Sequence, residues 1–312
     1  MNSISAATNN AIARNISLSE YFSQYENWLE VTKASAKTYK TGLKSFFMWL
    51  AENRILNPSR LDVIAYKKEL EASGKSDSTI ATYLAGVKSF FKWTEESGYY
   101  ANIASRVKMP KISRIHKKDA LTAAQVKNTI QNVMGKGIAL LRDRAIITLI
   151  SACGLRTIEV SRAKVDDIRV KNGKPVLFLQ GKGHKAKDNF IPLPMVAKRA
   201  IDTYLNARGK TFKNAPLFVS ISTNGTAGQA LSTVTISGIC KKALIRAGYN
   251  SRTITAHSLR HTAATEALRN GASLHAVQMY LRHSNINTTL VYAHEIEQED
   301  NICASLLDRL LA

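Results

Sequence analysis

The sequence predicts a mainly α-helical protein with a small β-sheet, organised as an N-terminal helical bundle followed by a mixed α/β domain. Three observations carry this. An amphipathic segment occurs twice in the N-terminal half at an offset of 44 residues. In the C-terminal half an apolar run, "VLFLQ" at Val176 to Gln180, is followed after a glycine- and lysine-rich turn by another, "NFIPL" at Asn189 to Leu193. Between the halves, "KMPKISRIHKKDALT", Lys108 to Thr122, joins a helix-discouraging proline to five mutually repelling cations.

Each element follows in order. Residues 1–15 combine no basic start with an apolar stretch, so they resemble no secretory signal and read as a disordered tail. A helical domain is expected over 16–108. Its first helix opens at the capping box "SLSE", Ser17 to Glu20, and another lies near Leu61 to Leu70. The two echoing helices, "TYKTGLKSFFMW" from Thr38 and "TYLAGVKSFFKW" from Thr82, agree at eight of twelve positions. Tyr39, Leu43, Phe46, Phe47 and Leu50, answered by Tyr83, Val87, Phe90, Phe91 and Trp93, fall at helical spacing and form the core of a four- or five-helix bundle. Lys37, Lys40, Lys44, Lys75, Lys88 and Lys92 then lie on polar faces, where matching lysines in both repeats suit a clamp on a DNA backbone. A basic linker is placed at 109–120. In the second domain, 121–294, a helix runs from Leu140 to Gly154 and a second begins close to Arg156. The hairpin follows, with "GKGHKAKD" as its turn, and the rest is mainly helical.

Composition narrows the function. The chain's 312 residues hold 44 Lys+Arg against 23 Asp+Glu, a net charge of +21, and most of the excess lies in the C-terminal half: +16 over 113–312 against +5 over 1–112. Such an excess points to a polyanion, nucleic acid first. Apolar runs such as Ala145 to Ile150 are too short to span a membrane, so a membrane partner is not expected. Three widely spaced cysteines, Cys153, Cys240 and Cys303, form neither a disulfide framework nor a zinc knuckle and suit reduced, buried thiols in a cytoplasmic protein.

Four separated stretches hold the chemistry. In "GLRTIEV", Gly154 ends one helix while Arg156 and Glu159 stand three apart on the next, so the carboxylate can orient the guanidinium. In "GKGHK", two glycines free Lys182 to approach a ligand. In "TAHSLRHTAAT", His257, Arg260 and His261 are spaced to share one helix face. Two histidines four apart suggest zinc, but no Glu follows His257 and a guanidinium would repel the ion, so no metal is assigned. The fourth stretch, "LRHSNINTTLVYAH", places His283 and Tyr292 among capping and turn residues. Two arginines, a lysine, two histidines and a tyrosine, with no carboxylate pair for magnesium, suit phosphodiester transfer. Positioned donors stabilise the charge on the non-bridging oxygens, arginine's fork fits phosphate, and tyrosine attacks once a cationic pocket helps its proton leave. On this reading Tyr292 is polar and accessible.

"GLRTIEV", "GKGHK", "HSLRH", "LRHS" and "VYAH" occur in the order and spacing of the tyrosine recombinases, the phage integrase and Xer group, which the chain resembles from about Ile16 onward. The resemblance implies a SAM-like core-binding N-terminal domain and a catalytic domain with Arg156, Lys182, His257, Arg260 and His283 around the scissile phosphate. It implies that Tyr292 forms a 3′-phosphotyrosyl link and releases a 5′-hydroxyl, with Glu159 in support. Site-specific recombination of double-stranded DNA at inverted-repeat half-sites is therefore expected, with no cofactor. Integration and dimer resolution are not separated by it. A type IB topoisomerase and a non-catalytic DNA-binding protein are the alternatives. The family usually has glycine where this chain has Arg282, which puts the local turn in question and offers a further phosphate contact. Over 295–312, acidic residues precede an apolar stripe of Ile302, Leu306, Leu307, Leu310 and Leu311. The resemblance suggests that this helix is exchanged between protomers of a tetramer on DNA.

Overall fold

The computed structural model describes residues 18–29, 33–111, 120–180, 187, 189–222, 225–299 and 301–311. They divide into two compact units, 1–113 and 114–312. Most of the expected linker and the Ser17 end of the expected capping box lie outside the described residues, as does the tail.

The first unit contains four described helices: α1 (Leu18–Trp28), α2 (Lys33–Glu52), α3 (Arg60–Ala72) and α4 (Asp77–Glu96). Ser59 begins α3 with a reciprocal cap, its backbone N–H donating to Asp62 Oδ2 at 2.7 Å. Ser76 caps α4. Leu43, Phe46, Leu50, Val87, Phe90, Phe91 and Trp93 are buried, while Tyr39, Phe47 and Tyr83 are half-buried, with Phe47 and Tyr83 packing against that core. The two echoing helices cross through their matching glycines. A Cβ on Gly42 would lie 2.6 Å from Tyr83 Cα, and one on Gly86 would lie 2.6 Å from the Tyr39 carbonyl oxygen. Each glycine thus opens one helix to the tyrosine of the other.

The lysines of this unit are not equivalent. Lys37, Lys44 and Lys75 are exposed. Lys40 is paired with Glu26, Lys92 lies 3.6 Å from Glu96, and the Lys88 ammonium donates to the Ser105 carbonyl at 3.2 Å. Half of the expected DNA-facing set therefore has a partner within the unit.

The second unit is built on α6 (Ile138–Cys153), whose Ala145, Ile146, Ile147, Leu149, Ile150 and Cys153 are all buried. Around it lie α5 (Ala123–Gln131), α7 (Thr157–Arg162), α8 (Met195–Arg208) and α9 (Thr233–Arg246). The chain then forms α10 (Ala256–Arg269), α11 (Leu274–Leu281), α12 (Asn287–Glu299) and α13 (Cys303–Leu311). Instead of a two-stranded hairpin there is a three-stranded antiparallel sheet, β1 (Ile168–Lys171), β2 (Lys174–Leu179) and β3 (Asn189–Pro192), in that order. Leu177 faces Ile168 on one side and Ile191 on the other. The added strand turns through Asn172 and Gly173, both at positive φ, 51° and 72°, as a two-residue hairpin requires. The Lys182 turn lies outside the described residues.

Cys153 and Cys240 are buried free thiols, but Cys303 is exposed, contrary to expectation, as are Leu306, Leu307, Leu310 and Leu311 on the same helix. Among the described residues no helix is long and apolar enough to cross a membrane.

Candidate active site

Gly154 closes α6 in the left-handed conformation at φ 56°, and a Cβ there would lie 2.5 Å from Leu281 Cδ2. A tight stop and a close approach both require glycine here. Two residues on, Arg156 caps α7. Its backbone N–H donates to Glu159 Oε2 at 2.7 Å and its Nη1 to Oε1 at 3.2 Å, so the carboxylate orients the guanidinium as the three-residue spacing predicts. The Arg156 side chain stays 36% exposed, available to an outside anion.

Thr255 caps α10, and the motif residues that follow diverge. His257 sits in the exposed first turn, whereas Arg260 and His261 lie deeper and are buried. The three residues keep the i, i+3, i+4 spacing of one helix face, and depth along the helix separates the two histidines. Arg260 donates through Nη1 to the Gly154 carbonyl, and through Nη2 to the Leu281 carbonyl at 2.6 Å and to His283 Nε2 at 3.0 Å. Burial first, then the Arg156 charge, pushes its pKa down to about 9, so Arg260 is a cation at neutral pH.

His283 follows the end of α11. Burial, then the charges of Arg260, Arg156 and Arg282, pulls its pKa down to about 4. Since a guanidinium only donates, the Nε2 facing Arg260 must carry a lone pair. The remaining proton is then on Nδ1, which points to Thr289 Oγ1 at 2.8 Å.

Tyr292 is not accessible. It is 2% exposed, packed with Ala264, Val277 and Leu281. Its ring meets His261 edge-on at 4.6 Å and lies nearly parallel to His283 at 6.2 Å. The polar stretch before it did not reveal this, because Thr289 and Tyr292, one turn apart, are the only residues of α12 that are buried. Burial raises the phenol's pKa, Arg260 and Arg156 oppose the rise, and Glu295 adds to it. His261 Nε2 lies 3.1 Å from Glu295 Oε2.

Arg282 does not present a free guanidinium for the expected phosphate contact. Its side chain is 7% exposed and turned inward, with Nε 3.2 Å from Glu159 Oε1 and Nη2 2.9 Å from Oε2. The backbone turn holds nonetheless, because Arg282 itself takes the left-handed conformation, φ 56° and ψ 47°.

Arg156, Glu159, Arg260, His283 and Tyr292 thus converge, with His257 at the exposed edge of α10; Lys182 lies outside the described residues. Sequence reasoning considered His261 only as a metal ligand and passed over Thr289. Their signals were weak: a histidine one turn beyond His257, and a threonine one turn before Tyr292. Among the described residues no group of three or more His, Cys, Asp or Glu side chains could hold a metal ion.

Residues 119–299 match the model of the phage integrase family, and residues 18–98 match that of the phage integrase N-terminal SAM-like domain. Tyrosine recombinase XerD of Listeria innocua is 30% identical over 268 residues, covering 83% of this chain and 86% of the relative. Tyrosine recombinase XerA of Pyrococcus furiosus is 30% identical over 278 residues, covering 88% of this chain and 89% of the relative. Among solved structures, the XerH site-specific recombinase bound to palindromic difH substrate has a TM-score of 0.74 at 20% identity over 94% of this chain and 85% of that one. A lambda integrase tetramer bound to a Holliday junction has a TM-score of 0.65 at 17% identity over 89% of this chain and 77% of that one. The two structural likenesses describe the fold.

Proposed function

The chain belongs to the phage integrase family of tyrosine recombinases, and on that premise we propose how its residues carry out site-specific DNA strand exchange. The observation that carries the reading is the convergence of two guanidiniums and a neutral imidazole on a tyrosine in a strongly basic chain. Arg156 and Arg260 bind the non-bridging oxygens of the scissile phosphate and stabilise the charge that develops on them. The Tyr292 Oη attacks phosphorus, the bond to the 5′ oxygen breaks, and a 3′-phosphotyrosyl link forms. Lys182 supplies the proton that the departing 5′ oxygen takes up. His257 and His283 complete the phosphate pocket, and His283 Nε2 receives the phenol's proton once Arg260 has turned from it to the phosphate. Attack by a later 5′-hydroxyl reverses the same bonds, so the phosphodiester energy is retained without a nucleotide cofactor.

A buried nucleophile adds a step. In the free chain α12 holds Tyr292 inside, so the helix must turn the phenol toward the phosphate before cleavage. The stripe of Ile302, Leu306, Leu307, Leu310 and Leu311, each 46–86% exposed, follows directly on α12. Docking of this helix into a second copy, on DNA with inverted half-sites, would draw α12 outward and link cutting to assembly. The test uses a nicked duplex carrying candidate inverted repeats. The full chain should form a covalent adduct that Tyr292→Phe does not. Deletion of Ile302 to Ala312 should retain binding to one half-site while losing cooperativity on two. Retained cooperativity and recombination would refute the docking role.

A further inference from the structure

Arg282 occupies a backbone position suited to glycine, yet it carries the longest side chain available. At φ 56° a Cβ crowds the following carbonyl, so the site bears strain that glycine would not. Its side chain is also sealed in. Besides the two-pronged contact with Glu159, Nη1 donates to the Tyr280 carbonyl at 2.5 Å and Nη2 to the Gly154 carbonyl at 3.3 Å. All three nitrogens are occupied within the protein.

These partners sit at three element ends. Gly154 ends α6, Glu159 lies in the first turn of α7, and Tyr280 is near the end of α11. Glu159 in turn fixes Arg156 through both its backbone N–H and its guanidinium. On the other side, the turn made by Arg282 sets its neighbour His283, whose N–H donates to the Gln278 carbonyl at 3.1 Å. One residue thus reaches Arg156 through its side chain and His283 through its backbone.

The charges reinforce the geometry. Glu159 is buried and surrounded by three guanidiniums, with Arg156 at 3.2 Å, Arg282 at 2.9 Å and Arg260 at 3.9 Å. Without Arg282, two cations would share one carboxylate. With it, the pocket carries a further positive charge and Glu159 is held by a partner whose nitrogens all have acceptors within the protein, leaving Arg156 more of its charge for an incoming phosphate. Burial disfavours the ionised carboxylate, but the charge and hydrogen bonds of Arg282, together with the Arg156 N–H and the Arg260 charge, outweigh it and hold Glu159 below the usual carboxylate range.

We infer that Arg282 is a positioning residue, a guanidinium brace that fixes Glu159 and thereby Arg156 against His283 for attack on the phosphate. The inference rests on the strand-exchange reading above.

Arg282→Gly is the informative variant, since glycine accepts the left-handed turn and leaves a guanidinium-sized space. Arg282→Lys keeps a cation but lacks the fork. Cleavage of a nicked duplex at saturating DNA should fall about 10- to 100-fold in the glycine variant, since misplaced catalytic groups lose rate, while its dissociation constant changes less than about twofold because no DNA contact is lost. Guanidinium chloride at tens of millimolar should restore at least a fifth of the lost rate, whereas equal sodium chloride should not. Lysine should rescue only partly. Cleavage within about twofold of the wild type, or a loss confined to affinity with a shallower salt dependence, would overturn the brace. A second readout needs no cleavage. In the DNA-free protein the Arg156 Nε–Hε NMR signal should move in Arg282→Gly and return on adding guanidinium, and an unmoved signal also overturns the brace. A wild type that forms no DNA adduct, with Arg282→Gly still showing this guanidinium-reversible shift, would refute the strand-exchange reading and leave the brace standing.

Discussion

The Arg260 guanidinium donates to His283 Nε2 at 3.0 Å, which makes this histidine a neutral acceptor beside a cation. Its pKa near 4 lies below the value of about 6.5 that an unfolded imidazole has. As pH falls, the unfolded chain therefore takes up the proton first. The stabilising effect of neutral His283 is complete above about pH 6.5 and is lost progressively down to about 4. Melting curves between those values should drop more for the wild type than for His283→Gln. A ¹⁵N spectrum should show the Nδ1–H tautomer at pH 6, and an imidazolium there would refute the assignment.

Tyr292→Phe removes one oxygen from a packed ring. It should bind target DNA as the wild type does and form no covalent adduct. Tyr292→Ala empties a buried site against His261 and should lower stability by about 3–5 kcal/mol in urea unfolding. A Phe variant that still becomes linked to DNA would mean that another residue is the nucleophile.

The two arginines should separate on stability. Both alanine variants are expected to lower cleavage by at least ~100-fold, because each loses transition-state charge stabilisation. Arg260→Ala also strips the Gly154 and Leu281 carbonyls of a buried donor and should cost about 3–5 kcal/mol. Arg156→Ala removes a partly exposed side chain whose surface pairing is worth about 1 kcal/mol or less. Denaturant titration of each protein checks the difference.

Lys37, Lys44 and Lys75 should each lower the slope of log affinity against log salt by about 1 when changed to alanine, if each neutralises one phosphate. Lys40, Lys88 and Lys92, which have partners within the unit, should lower it less. Equal effects at all six would show that these internal contacts yield entirely to DNA.

Local pattern was enough for the amphipathic helices, the short strands β2 and β3, and the pairing of Arg156 with Glu159, because each is decided within one or two turns of chain. Strand β1 was missed although Asn172-Gly173 is a strong hairpin signal, since "IRVK" is short and largely exposed. The burial of Tyr292 was out of reach for another reason. Its apolar surroundings come from Ala264, Val277 and Leu281 on two other helices, and no periodicity within α12 reports them. The inward turn of Arg282 likewise depends on Glu159, which is 123 residues away along the chain.

The reciprocal crossing of α2 and α4 has a consequence for how this unit tolerates change. Gly42 meets Tyr83 while Gly86 meets Tyr39, and the two glycines, like the two tyrosines, are separated by the same 44 positions, so the pairs are one contact seen from its two ends. A methyl group added at either end must push the same pair of helices apart. Once they have moved, the second methyl finds much of its room already made. Gly42→Ala and Gly86→Ala should each destabilise the unit, and together they should destabilise it by clearly less than the sum of the two. The first loss at this crossing is the severe one, and it makes the opposite glycine dispensable.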